Sequence, residues 1–337
     1  MQTIEEDLKT FLAEWEDPSP YIQVQTSGST GTPKQLTVRK EQMWQSARIT
    51  CEYLGLKKGD NALLCMPLQY IAGKMMVVRS LYAGLNLIVR QPSGHPLADV
   101  SEPLRFAAMI PMQVYNTLRN PEERERLCQT DILIIGGGAI NEALENEIRQ
   151  LPNAVYSTYG MTETLSHIAL RRLNGPEASP AYHPFPSVDI SLSEEDTLVI
   201  KAPLVCDEVL RTNDVARLHP DGSFSILGRK DNIINSGGIK IQTEVVEEAL
   251  HPVISVKFAI TSVPHPKFGE AIVLLIEDKE KKVEPAGLQS RIDNVLPKYQ
   301  RPKYIIEVET LPLTGSGKID RKACRALAQS RMELNII

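Results

Sequence analysis

Two short stretches, one near each end of the chain, combine a lysine with glycine and hydroxyl residues. The first, "TSGSTGTPK", covers residues 26–34, and the second, "TGSGK", covers residues 314–318. Glycine-rich turns expose backbone N–H groups, and these groups, hydroxyls and an ammonium group are all able to bind phosphate oxygens. No helix pattern follows Lys34, so the first stretch differs from the nucleotide loop G-x-x-x-x-G-K-[ST]. An ordinary polar hairpin is the alternative interpretation.

The patterning of the chain indicates the elements that hold these stretches. Apolar residues at helical spacing predict helices over residues 4–15 and 41–56, and strands are predicted on both sides of the first stretch. "DILIIGGGAI", "NEALENEIRQL" and "AVYSTYG" predict a strand with a glycine turn, a helix with Asn141 as its N-cap, and a second strand. This βαβ unit predicts a parallel sheet with both faces covered. Short strands are predicted between residues 173 and 227, and two helices and two strands are predicted after "GRKDN".

Composition and charge restrict the class of protein. The length of 337 residues favours two domains. The formal net charge of -5 argues against a nucleic-acid or anionic-membrane partner, which would require a basic surface. Its five cysteines are scattered and lack C-x-x-C spacing, so neither a disulfide framework nor a structural zinc site is expected. The N-terminus has no signal-peptide pattern, and no apolar run approaches the roughly 18 residues of a membrane helix. We therefore predict a soluble, cytoplasmic protein without membrane insertion.

Four motifs, read in order, resemble the signature series of adenylate-forming enzymes. They are "TSGSTGTPK", "YSTYGMTET", "RTNDVARLHPDGSFSILGRKDNIINSGG" and "LPLTGSGKIDRKA". That superfamily includes acyl- and aryl-CoA synthetases, luciferases and the adenylation domains of peptide synthetases. The resemblance extends from about Gln23 to the C-terminus. It implies an α/β fold with a large N-terminal domain (residues 1–230) of mixed and parallel sheets covered by helices, plus a short-stranded β region. It also implies a small, mobile α+β domain (residues 231–337).

The resemblance implies a binding site for ATP and Mg²⁺. In such a site the Tyr159 ring contacts adenine, Thr162 contacts the α-phosphate, and Glu163 binds Mg²⁺, which proteins hold through few carboxylates, phosphate oxygens and waters. "GGGA" would let adenine lie against a backbone without Cβ atoms, although tight strand–helix packing would also explain these glycines. The residues predicted to bind ATP are Thr26, Ser27, Gly28, Ser29, Thr30, Gly31, Lys34, Gly137, Gly138, Ala139, Thr158, Tyr159, Gly160, Thr162, Asp214 and Arg229.

The third motif carries a ribose site and a hinge in this superfamily. Asp214 in "RTND" matches the ribose-binding aspartate, and a carboxylate is able to accept hydrogen bonds from both ribose hydroxyls. Asn213 stands where the commoner form "TGD" has glycine. Arg229 matches an arginine that also reaches the ribose, and Asp231 falls where the family hinges its two domains. Without the resemblance, Asp231 would be interpreted as a surface charge.

The resemblance also explains the second lysine stretch. Lys318 resembles the catalytic lysine of the small domain, and Thr30 and Glu163 are predicted to act with it. In the first reaction of the family, the substrate carboxylate attacks the α-phosphate of ATP and pyrophosphate leaves. Such a reaction depends on positioning two anions and on stabilising the charge that grows on the phosphoryl oxygens.

A second reaction of the family transfers the acyl group to coenzyme A (CoA). The small domain then rotates about the hinge, and the "SGG" segment, Ser236, Gly237 and Gly238, lines the passage for the CoA thiol. Small residues suit a narrow passage. A plain turn is the alternative interpretation of this glycine pair.

The acid substrate is suggested by "MPLQYIAGKMMVVRSLYAG", which resembles a segment of the o-succinylbenzoate–CoA ligases of menaquinone biosynthesis. Tyr70 stands where that family has histidine, and His167 stands where a glutamine is usual. The acid has two carboxylates, so a cation must meet the one that does not react. Lys74 is the first candidate and Arg79 the second, with a helix-surface lysine as the alternative for Lys74. The residues predicted to bind the acid are Tyr70, Gly73, Lys74, Arg79, Ser166 and His167.

Three functions are compatible with these residues. The first is an ATP-dependent acid–CoA ligase for o-succinylbenzoate, with ATP, CoA and a small carboxylic acid as its partners. The second is an adenylating enzyme for another acid or for a carrier-protein thiol, and the third is a catalytically silent nucleotide-binding module. Lys318, Glu163 and Thr30 argue against the third. About 25 residues precede the first stretch, where family members carry a long subdomain, so we expect a compact ligase whose uncovered surface is polar or buried in a homo-oligomer.

Overall fold

The computed structural model describes residues 3–25, 35–278, 285–314 and 319–334. Both lysine stretches fall wholly or largely outside these ranges. The predicted site residues that lie outside the described residues are Thr26, Ser27, Gly28, Ser29, Thr30, Gly31, Lys34 and Lys318. Their roles therefore stay predictions.

The chain divides into two compact units. Unit 1 comprises Met1–Ser191, Val199–Leu210 and Leu218–Ser225. Unit 2 comprises Leu192–Leu198, Arg211–Arg217 and Ile226–Ile337. The predicted domain boundary between residues 230 and 231 lies close to the start of the longest segment of unit 2 and stays a prediction.

The described residues form helices and strands throughout both units. The helices are α1 (Ile4–Glu16), α2 (Lys40–Leu54), α3 (Ile71–Ala83), α4 (Pro111–Arg119), α5 (Pro121–Cys128), α6 (Glu142–Ile148), α7 (Thr243–Leu250), α8 (Pro285–Val295) and α9 (Arg321–Leu334). The strands are β1 (Tyr21–Gln25), β2 (Gln35–Arg39), β3 (Asn61–Leu64), β4 (Asn86–Val89), β5 (Phe106–Met109), β6 (Ile132–Ile135), β7 (Ala154–Gly160), β8 (His167–Arg172), β9 (His183–Pro184), β10 (Asp189–Leu192), β11 (Thr197–Lys201), β12 (Leu210–Leu218), β13 (Phe224–Arg229), β14 (Ile233–Ser236), β15 (Ile239–Gln242), β16 (Lys257–His265), β17 (Gly269–Glu277) and β18 (Tyr304–Val308).

A seven-stranded sheet in the order β4-β3-β5-β6-β7-β8-β9 forms the centre of unit 1. The pairs from β4 to β7 are parallel, and β8 and β9 are antiparallel additions at one edge. Every residue of β5 and β6 is buried, as expected for parallel strands covered on both faces. The predicted unit of β6, α6 and β7 is confirmed, and Asn141 Oδ1 caps α6 by accepting a hydrogen bond from Leu144 N–H at 2.8 Å.

Short antiparallel pairings hold the ends of both lysine stretches. β1 and β2 pair with Gln25 opposite Gln35, immediately before and after residues 26–34. The prediction that strands flank the first stretch is therefore confirmed. In unit 2, an isolated antiparallel bridge joins Leu313 to Ile319, on either side of the second stretch.

Unit 2 contains a second α/β layer structure. Its sheet has the order β15-β14-β17-β16, and β18 pairs in parallel with β17. Buried residues of β16 and β17 alternate between two cores, because successive side chains of a strand point to opposite faces. Ile260, Ile272 and Leu274 belong to the core that contains residues of α7 and α8, whereas Ala259 and Val273 belong to the core that contains Cys324 of α9.

A four-stranded sheet in the order β10-β11-β12-β13 forms the short-stranded β region. The predicted α/β fold class is confirmed. The sequence patterns did not predict β5, α4, α5 or the antiparallel strand β8. The predicted mobility of the small domain stays a prediction.

One ion pair joins the helix that follows the second lysine stretch to the sheet of unit 2. Arg321, the first residue of α9, contacts both carboxylate oxygens of Glu247 in α7, at 2.7 Å for its Nη2. The same carboxylate accepts a hydrogen bond from Ile260 N–H at 2.7 Å, and Arg321 also donates to the Ile260 carbonyl. The pair therefore connects α7, α9 and β16 at one point.

We expect Glu247→Gln to destabilise unit 2 locally, because it leaves the Arg321 guanidinium with a neutral partner in a largely buried position. Loss of one partner of a buried pair costs about 3–5 kcal/mol, and partial exposure of Arg321 favours the lower end of that range. Hydrogen–deuterium exchange of peptides from β16 measures the effect. Glu248→Gln, an exposed neighbour on the same helix, is the matched control. Equal protection of β16 in both variants would contradict the prediction.

Candidate functional site

Two groups of predicted site residues in unit 1 lie at the carboxyl ends of the parallel strands β6 and β7. β6 ends at Ile135, opposite Ser157 of β7. A Cβ atom at Gly136 would lie 2.6 Å from Thr158 Oγ1, so only glycine allows these two strand ends to approach so closely. The "GGGA" segment and the "STYG" segment are therefore in contact. Ligands of α/β sheets usually bind at this edge.

The glycine segment after β6 forms a turn. Gly137 has a φ of +77°, a left-handed conformation that favours glycine. Gly137 and Ala139 are exposed and Gly138 is half-buried, so the backbone of this turn is accessible to a planar ligand. Tight packing explains Gly136. The predicted contact of Gly137, Gly138 and Ala139 with adenine stays a prediction.

Gly160 marks an unusually close approach between β7 and β8. A Cβ atom at this position would lie 2.3 Å from the Ser166 carbonyl oxygen and 2.6 Å from His167 Cα. The register of the two strands shifts between Tyr159 and Gly160. Backbone atoms cannot yield as a flexible side chain can, so this position requires glycine.

A strained turn connects β7 to β8. Residues 162–164 form a 3-10 turn, and Thr164 Oγ1 accepts a hydrogen bond from Met161 N–H at 3.0 Å. Leu165 then takes a φ of +64° although it is not glycine, and its side chain is buried. Such conformations cost about 1–3 kcal/mol and are concentrated at functional sites. The turn leaves Glu163 exposed and Thr162 half-buried, so both side chains are accessible to a ligand.

The Tyr159 ring belongs to a cluster of aromatic rings. Its centroid lies 5.2 Å from that of Phe224, in an edge-to-face arrangement, and 5.8 Å from that of Tyr182. Tyr182 and Phe224 stack on each other at 5.7 Å. The cluster fixes the orientation of the half-buried Tyr159 ring, which suits its predicted role beside adenine.

Arg79 is a buried cation in the same unit. Its side chain in α3 is 2% exposed, and its Nη2 donates a hydrogen bond to Ser166 Oγ at 2.5 Å. Within the described part of the chain, no carboxylate forms an ion pair with Arg79, and its Nε has no hydrogen-bond partner. Burial lowers the pKa of the guanidinium to about 10, so the group stays charged at neutral pH. A buried charge without a counter-charge is costly.

His167 lies next to this cation. Its Nδ1 is 3.2 Å from Ser166 Oγ and its Nε2 is 3.2 Å from Thr50 Oγ1. Burial lowers the pKa of the imidazole well below its usual value, and the charge of Arg79 lowers it further. The ring is therefore neutral at physiological pH. A small cavity beside it is lined largely by apolar side chains, among them Ile49 and Phe185.

The other predicted acid-binding residues have structural partners of their own. Lys74 Nζ donates a hydrogen bond to the Gln23 carbonyl at 2.9 Å and lies 3.7 Å from Glu14 Oε2. A Cβ atom at Gly73 would lie 2.4 Å from the Pro67 carbonyl oxygen, so packing alone requires this glycine. Tyr70 is the half-buried N-cap residue of α3. The structure thus brings together Arg79, Ser166 and His167, but gives Lys74 a separate environment.

Unit 2 brings together the predicted ribose and hinge residues. Arg229 donates hydrogen bonds to Asp214 Oδ1 at 3.1 Å and to Asp231 Oδ2 at 2.7 Å. The Asn213 amide donates to both carboxylate oxygens of Asp231 at 3.1 and 3.3 Å. The asparagine that departs from the usual "TGD" motif therefore contacts the predicted hinge residue.

The "SGG" segment forms the tight turn between β14 and β15. Gly237 and Gly238 have φ values of +61° and +81°, as in the type I′ turn of a β-hairpin. Both glycines are exposed and Ser236 is half-buried. A hairpin turn is enough to explain the two glycines, and the predicted role in CoA passage stays a prediction.

Several residues that shape the site were not predicted from the sequence. Leu165, Tyr182 and Phe224 have no polar chemistry, and Thr50 is distant in the chain. A buried hydroxyl at a position of an apolar helix face is the only signal that could have identified Thr50. Across the described ranges, no group of three His, Cys, Asp or Glu side chains could hold a metal ion. No helix there is long and apolar enough to cross a membrane.

Comparison with known proteins identifies relatives along nearly the whole chain. A family profile described as AMP-binding enzyme matches residues 6–205, and one described as AMP-binding enzyme C-terminal domain matches residues 245–318. The 2-succinylbenzoate–CoA ligase of Lactococcus lactis subsp. lactis is 25% identical over 333 residues, which cover 93% of this chain and 72% of that protein.

Two solved structures have related folds. An acyl-CoA synthetase (AMP-forming)/AMP-acid ligase II-like protein from Dyadobacter fermentans is 34% identical, with a TM-score of 0.65 and coverage of 95% of this chain and 93% of that chain. The o-succinylbenzoate coenzyme A synthetase of Bacillus subtilis, in complex with ATP and magnesium ion, is 22% identical, with a TM-score of 0.74. The alignment covers 89% of this chain and 68% of that chain, and it shows that the two proteins share a fold.

We expect Gly160→Ala to destabilise unit 1, because the new methyl group would force the backbones of β7 and β8 apart. Overpacking of this kind costs roughly 3 kcal/mol. Differential scanning calorimetry measures the change in Tm. Gly287→Ala is the matched control, since a Cβ atom there meets nothing within 4 Å and alanine favours helix α8 by up to about 1 kcal/mol. An unchanged Tm in the Gly160→Ala variant would contradict the close approach.

Proposed function

The chain belongs to the family of AMP-binding enzymes, as its motifs predicted, and on that premise we propose that it is an ATP-dependent acid–CoA ligase for o-succinylbenzoate. The substrate carboxylate attacks the α-phosphate of ATP, which forms an acyl-adenylate and releases pyrophosphate. The CoA thiol then attacks the acyl carbon, which forms the thioester and releases AMP. This is a step of menaquinone biosynthesis and would take place in the cytoplasm. The curated relative from Lactococcus lactis is named for the same acid.

The observation that carries the proposal is the unpaired charge of Arg79. o-Succinylbenzoate has one carboxylate that reacts and one that does not, and the second needs a cation in the acid site. Arg79 is buried beside Ser166 and forms no ion pair with any described carboxylate. At a distance of 6 Å and an effective dielectric constant of 20, the attraction between two unit charges is about 3 kcal/mol. Lys74 already contacts Gln23 and Glu14, so we rank Arg79 first.

Unit 1 carries several of the residues that we propose bind ATP. In unit 1, Tyr159 would contact adenine beside Gly137, Gly138 and Ala139, while Thr158, Gly160 and Thr162 would form the turn that faces the α-phosphate. The ring orientation of Tyr159 supports this role. Glycine turns without Cβ atoms fit a flat base and a close phosphate. When bound, Mg²⁺ would neutralise charge on the phosphates, and the exposed carboxylate of Glu163 is able to hold it.

In unit 2, Asp214 and Arg229 would bind the ribose, and their hydrogen bond supports a shared role. Asp231 would be the hinge, and Ser236, Gly237 and Gly238 would line the CoA passage. Lys318 would stabilise the charge on the α-phosphate during adenylation, with Thr30 and the rest of the first stretch on the outer phosphates. Homo-oligomerisation remains a prediction.

The first test is ATP–pyrophosphate exchange with a panel of aromatic and aliphatic acids. We expect o-succinylbenzoate to give the fastest exchange, and Lys318→Ala to lower exchange on the order of 10²–10³-fold, as for other electrostatic catalytic groups. The same variant should retain thioester formation from preformed acyl-adenylate, because Lys318 acts in the first step. If a different acid supports the exchange and o-succinylbenzoate does not, that acid is the substrate and the proposed one is wrong. The absence of exchange with every acid would favour a silent nucleotide-binding module. A carrier protein and free CoA, compared as acceptors, distinguish the two enzymatic alternatives.

The second test concerns the non-reacting carboxylate. We expect Arg79→Met to raise KM for o-succinylbenzoate on the order of 10²-fold, which corresponds to the loss of about 3 kcal/mol of attraction. KM for an analogue without that carboxylate should stay unchanged. The Tm of the variant should not fall, since an unpaired buried charge destabilises the free protein. Lys74→Met is the competing variant, and a selective rise of KM in that variant alone would assign the carboxylate to Lys74.

A further inference from the structure

A continuous chain of hydrogen bonds connects helix α2 to Arg79. Thr50 Oγ1 donates to the Ser46 carbonyl oxygen at 3.1 Å and lies 3.2 Å from His167 Nε2. His167 Nδ1 lies 3.2 Å from Ser166 Oγ, which accepts from Arg79 Nη2 at 2.5 Å. Thr50, His167 and Arg79 are all buried. All five residues belong to unit 1.

The donors of this chain fix the direction of each hydrogen bond. A threonine hydroxyl has one hydrogen, and Thr50 gives it to the Ser46 carbonyl, so Thr50 Oγ1 must accept from His167 Nε2. A neutral imidazole has one N–H donor, and its other nitrogen is an acceptor. His167 Nδ1 therefore accepts the hydroxyl hydrogen of Ser166, and the lone pairs of Ser166 Oγ remain for Arg79.

The surroundings of His167 support its neutral form. Burial and the nearby guanidinium both disfavour a second proton on the ring. A protonated ring would donate through both nitrogens, and the Ser166 hydrogen would then have no acceptor in the chain. The neutral Nε2–H form satisfies every member, as buried polar groups generally require.

We propose that Thr50 and His167 are positioning residues for Arg79, which act by holding the Ser166 hydroxyl so that its lone pairs face the guanidinium. This inference rests on the proposed function, in which Arg79 meets the non-reacting carboxylate of the acid. The Ser166 hydrogen is used by His167, so Ser166 orients Arg79 and donates no hydrogen bond to the substrate. Thr50 is 29 residues from Arg79 in the sequence, but it affects the orientation of the Arg79 guanidinium through the side chains of His167 and Ser166.

Removal of the Thr50 hydroxyl would reverse the direction of the hydrogen bond between His167 and Ser166. His167 Nε2–H would lose its acceptor in a buried position, which favours transfer of the proton to Nδ1. Nδ1–H would then donate to Ser166 Oγ and compete with Arg79 for the same oxygen. The guanidinium would lose its only oxygen acceptor among the described side chains and would no longer be fixed.

The test compares Thr50→Val, which keeps the shape and removes the hydroxyl, with Thr50→Ser, which keeps the hydroxyl. We expect Thr50→Val to raise KM for o-succinylbenzoate about tenfold, as for the loss of one net hydrogen bond to a charged group, with KM for ATP unchanged. Thr50→Ser should restore most of the affinity for the acid. His167→Gln keeps one donor and one acceptor, so it should raise KM for the acid less than His167→Leu does.

A readout without substrate separates this inference from the proposed function. Long-range ¹H–¹⁵N spectra of ¹⁵N-histidine-labelled protein report the tautomer of His167, and we expect Nε2–H in the wild type and a shift toward Nδ1–H in Thr50→Val. An Nδ1–H ring in the wild type would overturn the inference, as would a Thr50→Val variant with unchanged KM for the acid. If the wild type uses no dicarboxylic acid, the proposed function fails, whereas the tautomer still tests the direction of the chain.

Discussion

The close return of β8 onto β7 is the constraint from which the rest of the site follows. The backbone of Ser166 and His167 occupies the space that a side chain at residue 160 would need. Because the two strands are joined by a short turn, Leu165 must adopt a left-handed conformation inside the core. The same turn leaves Tyr159 on one side, beside the aromatic cluster, and directs Ser166 and His167 toward α2 and α3. Residues predicted to bind the nucleotide and residues predicted to bind the acid therefore share one piece of backbone.

A buried charge without a counter-charge lowers the stability of the folded protein. Most ion pairs of the described residues are partly exposed and join groups on the surface, where they contribute at most about 1 kcal/mol each. Arg79 differs, because its charge is buried and, among the described residues, its guanidinium contacts only the hydroxyl of Ser166 and the sulfur of Met76. A folded protein that keeps such a cation loses stability unless a ligand supplies the counter-charge. The chain of neutral hydrogen bonds through His167 satisfies the polar groups around the cation without neutralising it.

Local patterns predicted much of this fold, and long-range contacts account for what they missed. The helix that starts at Ile4 and the strand–helix–strand unit around α6 have clear periodicity, capping and glycine signals. Strand β8 was not predicted, because "HIALRR" is a short run whose pairing depends on a partner that only the fold supplies. The motifs named Arg79, Ser166 and His167, but position in the sequence ranked Lys74 before Arg79. Only the contacts of Lys74 with Gln23 and Glu14 separate the two cations.

The residues around Arg79 lie within the part of the chain that matches the AMP-binding family profile. The alignment with the Lactococcus lactis ligase covers 93% of this chain and 72% of that protein, whereas the Dyadobacter fermentans structure is matched over 93% of its chain. Thr50, Arg79, Ser166 and His167 come from α2, α3 and the β7–β8 turn, which all lie within the range that the AMP-binding profile matches. The hydrogen bonds that connect these four residues are therefore closed within one unit of the described chain.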